Sequence, residues 1–186
     1  MLKELEGRLG KDIEKVLLTE EQIKTRIKEL ASQISEDYKD KQPLLVCILN
    51  GASVFYVNLL CEMDIPLTMN YMRISSYGAG TESSGTVRIL YDLEQDITDK
   101  DVIIVEDIID SGNTLYKLTN TLSKRGAASI KTCCLLDKPS RRQVDIDADY
   151  VGFVVPDEFL VGYGLDYDGI YRNMKFIGTL KPEIYS

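Results

Sequence analysis

The chain contains no histidine and no tryptophan, and only four cysteines and five prolines among its 186 residues. The missing histidine excludes serine–histidine triads, imidazole-ligated zinc and imidazole acid–base catalysis together. Proton transfer is left to carboxylates, lysine, tyrosine, cysteine or the substrate. The cysteines, Cys47, Cys61, Cys133 and Cys134, form no Cys-x-x-Cys pair and are read as reduced packing residues of a cytoplasmic protein. Cys133 and Cys134 are neighbours on a strand-like segment, so their side chains are expected on opposite faces. No stretch approaches the roughly 18 apolar residues of a membrane span. No apolar segment follows the opening MLKELEGRLGKD, so neither a membrane partner nor a signal peptide is expected. Positive charge is scarce as well. A net charge of −8 opposes a nucleic-acid partner, whose phosphates demand clustered Lys and Arg, but leaves room for a locally basic site for a small phosphate ligand.

What is present describes one ordinary globular domain spanning 1–186, 44% hydrophobic and 28% charged. A chain of this length buries about 70% of its unfolded surface and needs no disulfide or structural metal to hold a core. Thr19-Glu20-Glu21-Gln22 fits a capping box, and Ile23, Ile27, Leu30 and Ile34 continue at helical spacing. Residues 44–49 form an unbroken apolar run, the pattern of a strand covered on both faces. Asn50-Gly51 turns, 52–63 reads as a helix, and 65–74 as a strand weakened at Pro66. Residues 75–85, small, polar and glycine-containing, are expected to be a mobile loop. Strand character resumes at 87–91 and 102–105, a helix is expected over 114–125 closed by Gly126, and 130–136 is a further strand. This alternation predicts an α/β fold: a Rossmann-like, mostly parallel sheet flanked by helices, with the N-terminal helix and the final third forming a small capping subdomain. Such sheets bind ligands beyond the carboxyl ends of their strands, which directs attention to the loops after residues 49, 74, 105 and 136.

One of those loops carries distinctive chemistry. Val102 to Leu115 reads VIIVEDIIDSGNTL. An apolar strand delivers Glu106 and Asp107 at its end, and Asp110-Ser111-Gly112-Asn113-Thr114 then turns into a helix. Successive backbone N–H groups ahead of a helix N-terminus make an anion cradle, Gly112 allows close approach of a phosphate, and Ser111 and Thr114 add hydroxyl donors. Glu106 and Asp107 are suited to sugar hydroxyls or to a nearby divalent ion, and Asp110 is free to act as an acid or base. The plainer alternative is an acidic turn in which Asp110 and Ser111 merely cap the helix. Neither a Gly-x-x-x-x-Gly-Lys-Ser/Thr loop nor a Gly-x-Gly-x-x-Gly fingerprint occurs.

This segment resembles the phosphoribosyl-pyrophosphate signature of type I phosphoribosyltransferases, and its Glu-Asp-Ile-Ile-Asp core resembles the hypoxanthine-guanine branch. Further segments match in order, so the resemblance covers most of the chain. It implies the type I fold with a hood built from the N- and C-terminal segments. It implies pyrophosphate contacts at Asn50, Gly51 and Arg172, with a non-proline cis peptide at Leu49–Asn50. A basic residue is common in the family where Asn50 stands here. Ser75-Ser76-Tyr77-Gly78 resembles the start of the loop that closes over the reacting centre. Lys138 would donate to the purine 6-oxygen, Phe159 would stack on the purine, and the main chain near Leu160 would meet the base edge. Asp166 would help hold Mg²⁺, alongside Glu106 and Asp107. Taken singly, Lys138 reads as a solvated charge, Phe159 as core and Arg172 as surface.

The resemblance implies purine salvage: a purine ring nitrogen displaces pyrophosphate from the anomeric carbon of phosphoribosyl pyrophosphate, with Asp110 as general base at N7. An unperturbed Asp, with a pKa of about 3.9, starts ionised at neutral pH. Adenine, which offers an amine where Lys138 requires an acceptor, is expected to be a poor substrate. The family's habit implies a homodimer or homotetramer. The rival readings are a phosphoribosyltransferase for xanthine or a pyrimidine, a regulator on this fold that binds RNA or a nucleotide, and a nucleotide-binding domain without turnover.

Overall fold

The computed structural model describes residues 7–76 and 87–185. A six-stranded sheet forms the centre, built from β2 (Leu44–Leu49), β3 (Thr68–Ser76), β4 (Val87–Tyr91), β5 (Asp101–Ile109), β6 (Ser129–Asp137) and β7 (Tyr150–Val154) in the order β4-β3-β2-β5-β6-β7. All neighbours pair in parallel except β3 and the edge strand β4. The mostly parallel α/β sheet is therefore as expected. Helices α1 (Glu20–Asp37), α2 (Ser53–Glu62) and α3 (Asn113–Ser123) flank it, and a four-residue helix α4 (Pro182–Tyr185) follows later.

The apolar runs explain the layering. Alternate residues of one strand enter different cores. Leu45, Cys47, Ile103 and Val105 pack with α1 and α2 residues such as Ile27, Leu30, Phe55 and Leu59. Leu44, Val46, Ile48, Val102 and Ile104 pack on the other side with Leu115, Leu118 and Leu122 of α3. A fully buried side chain of this kind contributes roughly 1.5–3 kcal/mol relative to exposure, so strands without a polar face hold only between two such layers. Cys133 and Cys134 divide between the two cores as pleating requires. Cys61 does not pack. It is exposed, because α2 buries the stripe of Phe55, Tyr56 and Leu59 and turns residue 61 away.

Local signals are realised. The Thr19 hydroxyl accepts from Gln22 N at 3.2 Å and the Gln22 side chain accepts from Thr19 N at 2.9 Å, closing the capping box. Helix α3 stops at Ser123, short of the expected end at 125, and Gly126 closes the turn that follows with φ 83°. Two further boundaries differ from expectation. β3 starts at Thr68, past Pro66, which has no N–H to give to the ladder. β5 runs on to Ile109, because residues 106–109 keep β6 as a partner after β2 has left at Val105.

The hood is a second, three-stranded sheet of order β1-β9-β8, from β1 (Ile13–Leu18), β8 (Leu160–Val161) and β9 (Ile177–Leu180); helix α1, expected in this subdomain, packs its apolar stripe on the central sheet instead. Strand β1 was not foreseen. It is short, and only Ile13 and Leu18 of it are buried. The hood has its own core, in which Ile13, Val161, Tyr171, Met174, Phe176 and Leu180 meet.

Candidate active site

Sheet order locates the site. The chain leaves β2 to build β3 on one side and later returns to build β5 on the other, so a crevice opens between the carboxyl ends of β2 and β5. There Ile48, Leu49, Gly51, Ile74, Glu106, Asp107, Ile108, Thr114, Asp166 and Arg172 line a recess of about 270 Å³. A smaller one of about 90 Å³ lies against it under the phosphate loop, lined by Glu106, residues 108–112, Thr114 and Leu115. A larger hollow of about 790 Å³ lies along the outer side of α1 and shares no residue with these two. It gathers lysines and glutamates of one solvated helix face and no group suited to chemistry.

On the β2 side the Leu49–Asn50 peptide is cis, as the resemblance implied. The Asn50 side chain is exposed, and its carbonyl accepts from the Ser53 hydroxyl at 2.7 Å. Gly51 is required by crowding. A Cβ there would lie 1.6 Å from Asp107 Oδ2, and a Cβ on Gly164 would lie 2.0 Å from the Gly51 carbonyl oxygen. The hood thus touches this loop backbone to backbone.

On the β5 side the carboxylates are desolvated. Burial pushes Glu106 well above the usual carboxylate range, and the neighbouring Asp107 charge pushes it further. Burial raises Asp107 to about 6, although Ile108 N donates to its Oδ1 at 2.8 Å and the Arg172 charge pulls it down. Asp166 is paired with Arg172 at 2.6 Å and accepts from Gly169 N at 2.8 Å, while Arg172 Nη1 donates to the Gly164 carbonyl at 2.6 Å. The supposed metal ligand and the supposed pyrophosphate contact thus hold each other.

The phosphate loop turns at Gly112, φ 80°, a left-handed conformation that residues with a Cβ seldom adopt. The Ser111 hydroxyl accepts from Asn113 N at 3.4 Å and from Asn113 Nδ2 at 3.3 Å. Thr114 lines both recesses. Asp110 follows the end of β5. Its carboxylate lies 3.0 Å from Arg141 Nε, which was not singled out from the sequence, and Arg141 also reaches Asp157 at 3.3 Å.

The base side is set by strand register. Ile109 of β5 lies opposite Asp137 of β6, so Asp110 and Lys138 leave adjacent strands side by side, with Lys138 N donating to the Ile109 carbonyl at 2.9 Å. Lys138 is only 7% exposed, which removes the solvated-charge reading, and its ammonium donates to the Glu158 carbonyl at 2.9 Å. Phe159 is 39% exposed, stacks on Tyr185 at 4.7 Å and meets the edge of Tyr167 at 5.5 Å, so one face is already covered. Leu160 opens β8 opposite Thr179. Ser75 in β3 has a buried hydroxyl without a hydrogen-bond partner among the described residues, and Ser76 is the last residue of that strand. Tyr77 and Gly78, the rest of the expected closing loop, lie outside the described residues.

Among the described residues, no three carboxylate, thiolate or imidazole groups are gathered to hold a metal ion. Glu106, Asp107 and Asp166 therefore form no protein cage. Their oxygen donors suit a hard ion that takes most of its ligands from phosphates and water. Asp107 and Asp166 repel each other, and a divalent cation near them would relieve that repulsion.

A sheet of this order, with an acidic strand end, a glycine turn ahead of α3 and a hood, is the architecture of the type I phosphoribosyltransferase fold. The chain belongs to the phosphoribosyl transferase family, whose domain model matches residues 15–168. Within it, the similarity lies with the hypoxanthine-guanine enzymes. The chain is 51% identical over 178 residues to the hypoxanthine-guanine phosphoribosyltransferase of Streptococcus thermophilus, covering 96% of this chain and 99% of that one. It is also 51% identical to the bifunctional protein TilS/HprT of Listeria monocytogenes, but spans only 27% of that relative's length. A solved hypoxanthine phosphoribosyltransferase of Staphylococcus aureus superposes with a TM-score of 0.94 at 48% identity, covering 97% of this chain and 98% of that one.

Proposed function

We propose that the protein is a purine-salvage enzyme that transfers the 5-phosphoribosyl group from phosphoribosyl pyrophosphate to hypoxanthine or guanine, forming IMP or GMP and pyrophosphate. The observation that carries the reading is the β5–β6 register, which sets a carboxylate in the phosphate loop, Asp110, beside a buried lysine, Lys138. A base with N–H at position 7 and an oxygen at position 6 answers both groups at once.

In this reading the amides of 111–114 hold the 5′-phosphate at the α3 N-terminus. Glu106 and Asp107 meet the ribose hydroxyls. Asn50, Gly51 and Arg172 hold the pyrophosphate, Phe159 stacks on the purine with the face that Tyr185 leaves free, and the main chain near Leu160 meets its edge. Asp110 takes the N7 proton as the ring nitrogen attacks the anomeric carbon, and Arg141 yields its place to the purine. Glu106, Asp107 and Asp166 would hold a magnesium ion, which would supply neutralisation of the charge on the leaving pyrophosphate. The low-dielectric crevice strengthens these contacts and keeps water from the sugar cation. Net charge and family resemblance support a cytoplasmic, single-domain homo-oligomer that handles small molecules; among the described residues no helix is long and apolar enough to cross a membrane.

The test is nucleotide formation from magnesium, phosphoribosyl pyrophosphate and hypoxanthine, guanine, xanthine, adenine or uracil. Turnover of hypoxanthine or guanine is expected, with little on adenine and a loss of 10²–10⁴-fold in Asp110→Ala, the range of positioned acid–base catalysis. Turnover of xanthine or uracil alone would refute the assigned base pocket, and full activity in Asp110→Ala would refute the assigned base.

A further inference from the structure

The phosphate loop has a backplate, made by the segment that follows β6. Arg142 is at its centre. Its Nη1 donates to the carbonyl oxygen of Asp110 at 2.7 Å, and its Nη2 donates to the Asp137 carboxylate. Both side chains of this ion pair are largely shielded from solvent, at 14% and 10% exposure. Contacts on either side repeat the pattern. Gln143 N donates to the Ser111 carbonyl at 2.9 Å, and Asn113 Nδ2 donates to Gln143 Oε1 at 2.8 Å. Close packing adds to it: a Cβ on Gly112 would lie 2.9 Å from Arg142 Cδ and 2.8 Å from Ile146. Residues 110, 111, 112 and 113 are thus all set from behind by 142–146.

We propose that Arg142 is a positioning residue for the transfer reaction, fixing the backbone of Asp110 so that its carboxylate meets the purine proton. The inference rests on the reading of Asp110 as the base. A guanidinium suits the task because its planar fork serves two acceptors in fixed directions, one in strand β6 and one in the catalytic loop. A lysine ammonium in its place supplies the charge without the fork. Arg142 touches neither substrate in this arrangement, so its removal leaves purine recognition by Lys138 and Phe159 in place. A catalytic group displaced by about 1 Å can lose 10²-fold in rate, which sets the scale.

The experiment compares Arg142→Ala, Arg142→Lys and the unchanged protein by steady-state kinetics with hypoxanthine and with guanine, at a temperature where circular dichroism reports a full native fold. In Arg142→Ala, kcat should fall 10- to 100-fold equally for both bases while the purine KM moves less than about threefold. Guanidinium at millimolar concentration should restore part of that kcat, because it refills the vacated fork. Arg142→Lys should lie between the two. Should Arg142→Ala fail to fold, the lysine variant decides: a kcat equal to the unchanged protein overturns the proposal. So does a folded Arg142→Ala with unchanged kcat, or one whose loss ignores guanidinium. Asp110→Asn run alongside separates the two readings. If it stays active, the base assignment has failed; if it is inactive while Arg142→Ala is not, only the positioning role has.

Discussion

Asp107→Asn should make the ligand-free protein more stable and a worse enzyme. Burial raises the Asp107 carboxyl from 3.8 to about 6. Because the folded state binds this proton more tightly than the unfolded chain, the native protein gains stability as pH falls through about 6 and loses it as pH rises. At about 1.4 kcal/mol per pH unit, the gap between the two pKa values amounts to roughly 3 kcal/mol at pH 8. Asp107 keeps some solvent contact, which trims the figure to about 1–2 kcal/mol. An asparagine keeps an oxygen for Ile108 N and carries no charge to desolvate. For a domain of this size, about 2–4 °C per kcal/mol gives a melting point roughly 2–8 °C higher at pH 8. The difference should open between about pH 4 and pH 6, stay flat above, and vanish below 4, where both side chains are neutral. Thermal melts of both proteins across that range are the assay. With magnesium and phosphoribosyl pyrophosphate added, the order should reverse, since the variant lacks the charge that the proposed function sets against the ligand. A variant less stable than the parent at pH 8, or a difference independent of pH, would refute the claim that this carboxylate is held at the expense of the fold.

Gly51→Ala should abolish turnover of phosphoribosyl pyrophosphate, because the new methyl overlaps the Asp107 carboxylate; kinetics on the refolded variant and its melting temperature test both consequences. Thr19→Ala should lower stability by about 1 kcal/mol through loss of the capping box, with kcat unchanged, as read from urea unfolding beside an activity assay. Lys138→Gln should weaken 6-oxopurine turnover far more than it improves adenine, since the buried amide must also replace the bond to the Glu158 carbonyl; the ratio of kcat/KM values measures this.

Sequence alone carried the central sheet because its strands are uniformly apolar over residues 44–49 and 102–105, a pattern that only a doubly covered strand explains. The phosphate loop was legible for a similar reason: its acids, glycine and hydroxyls are contiguous. The hood was harder to see. Strand β1 buries only its two end residues, Ile13 and Leu18, and its partner β9 lies far along the chain, so no local periodicity marks it. The purine side and the Arg172 contact to pyrophosphate were read only by resemblance, since Lys138, Phe159 and Arg172 each look ordinary alone. Arg141 and Arg142 were passed over because their role depends on register. Consecutive arginines in an acidic chain were the available signal, but nothing in the sequence says that one faces the Asp110 carboxylate and the other the Asp110 carbonyl.

The hood's composition has a consequence for how the protein comes into being. Ile13 pairs with Leu180, whereas β2 finds β3 and β5 finds β6 after much shorter stretches of chain. During synthesis the phosphate-binding half has its strands and helices together well before residue 177 emerges, while β1 waits without a partner, a long loop to be closed only at the end. The nascent chain therefore completes the crevice between β2 and β5 before the hood sheet can close. The pairing of β1 with β9 is the last strand contact to be assembled.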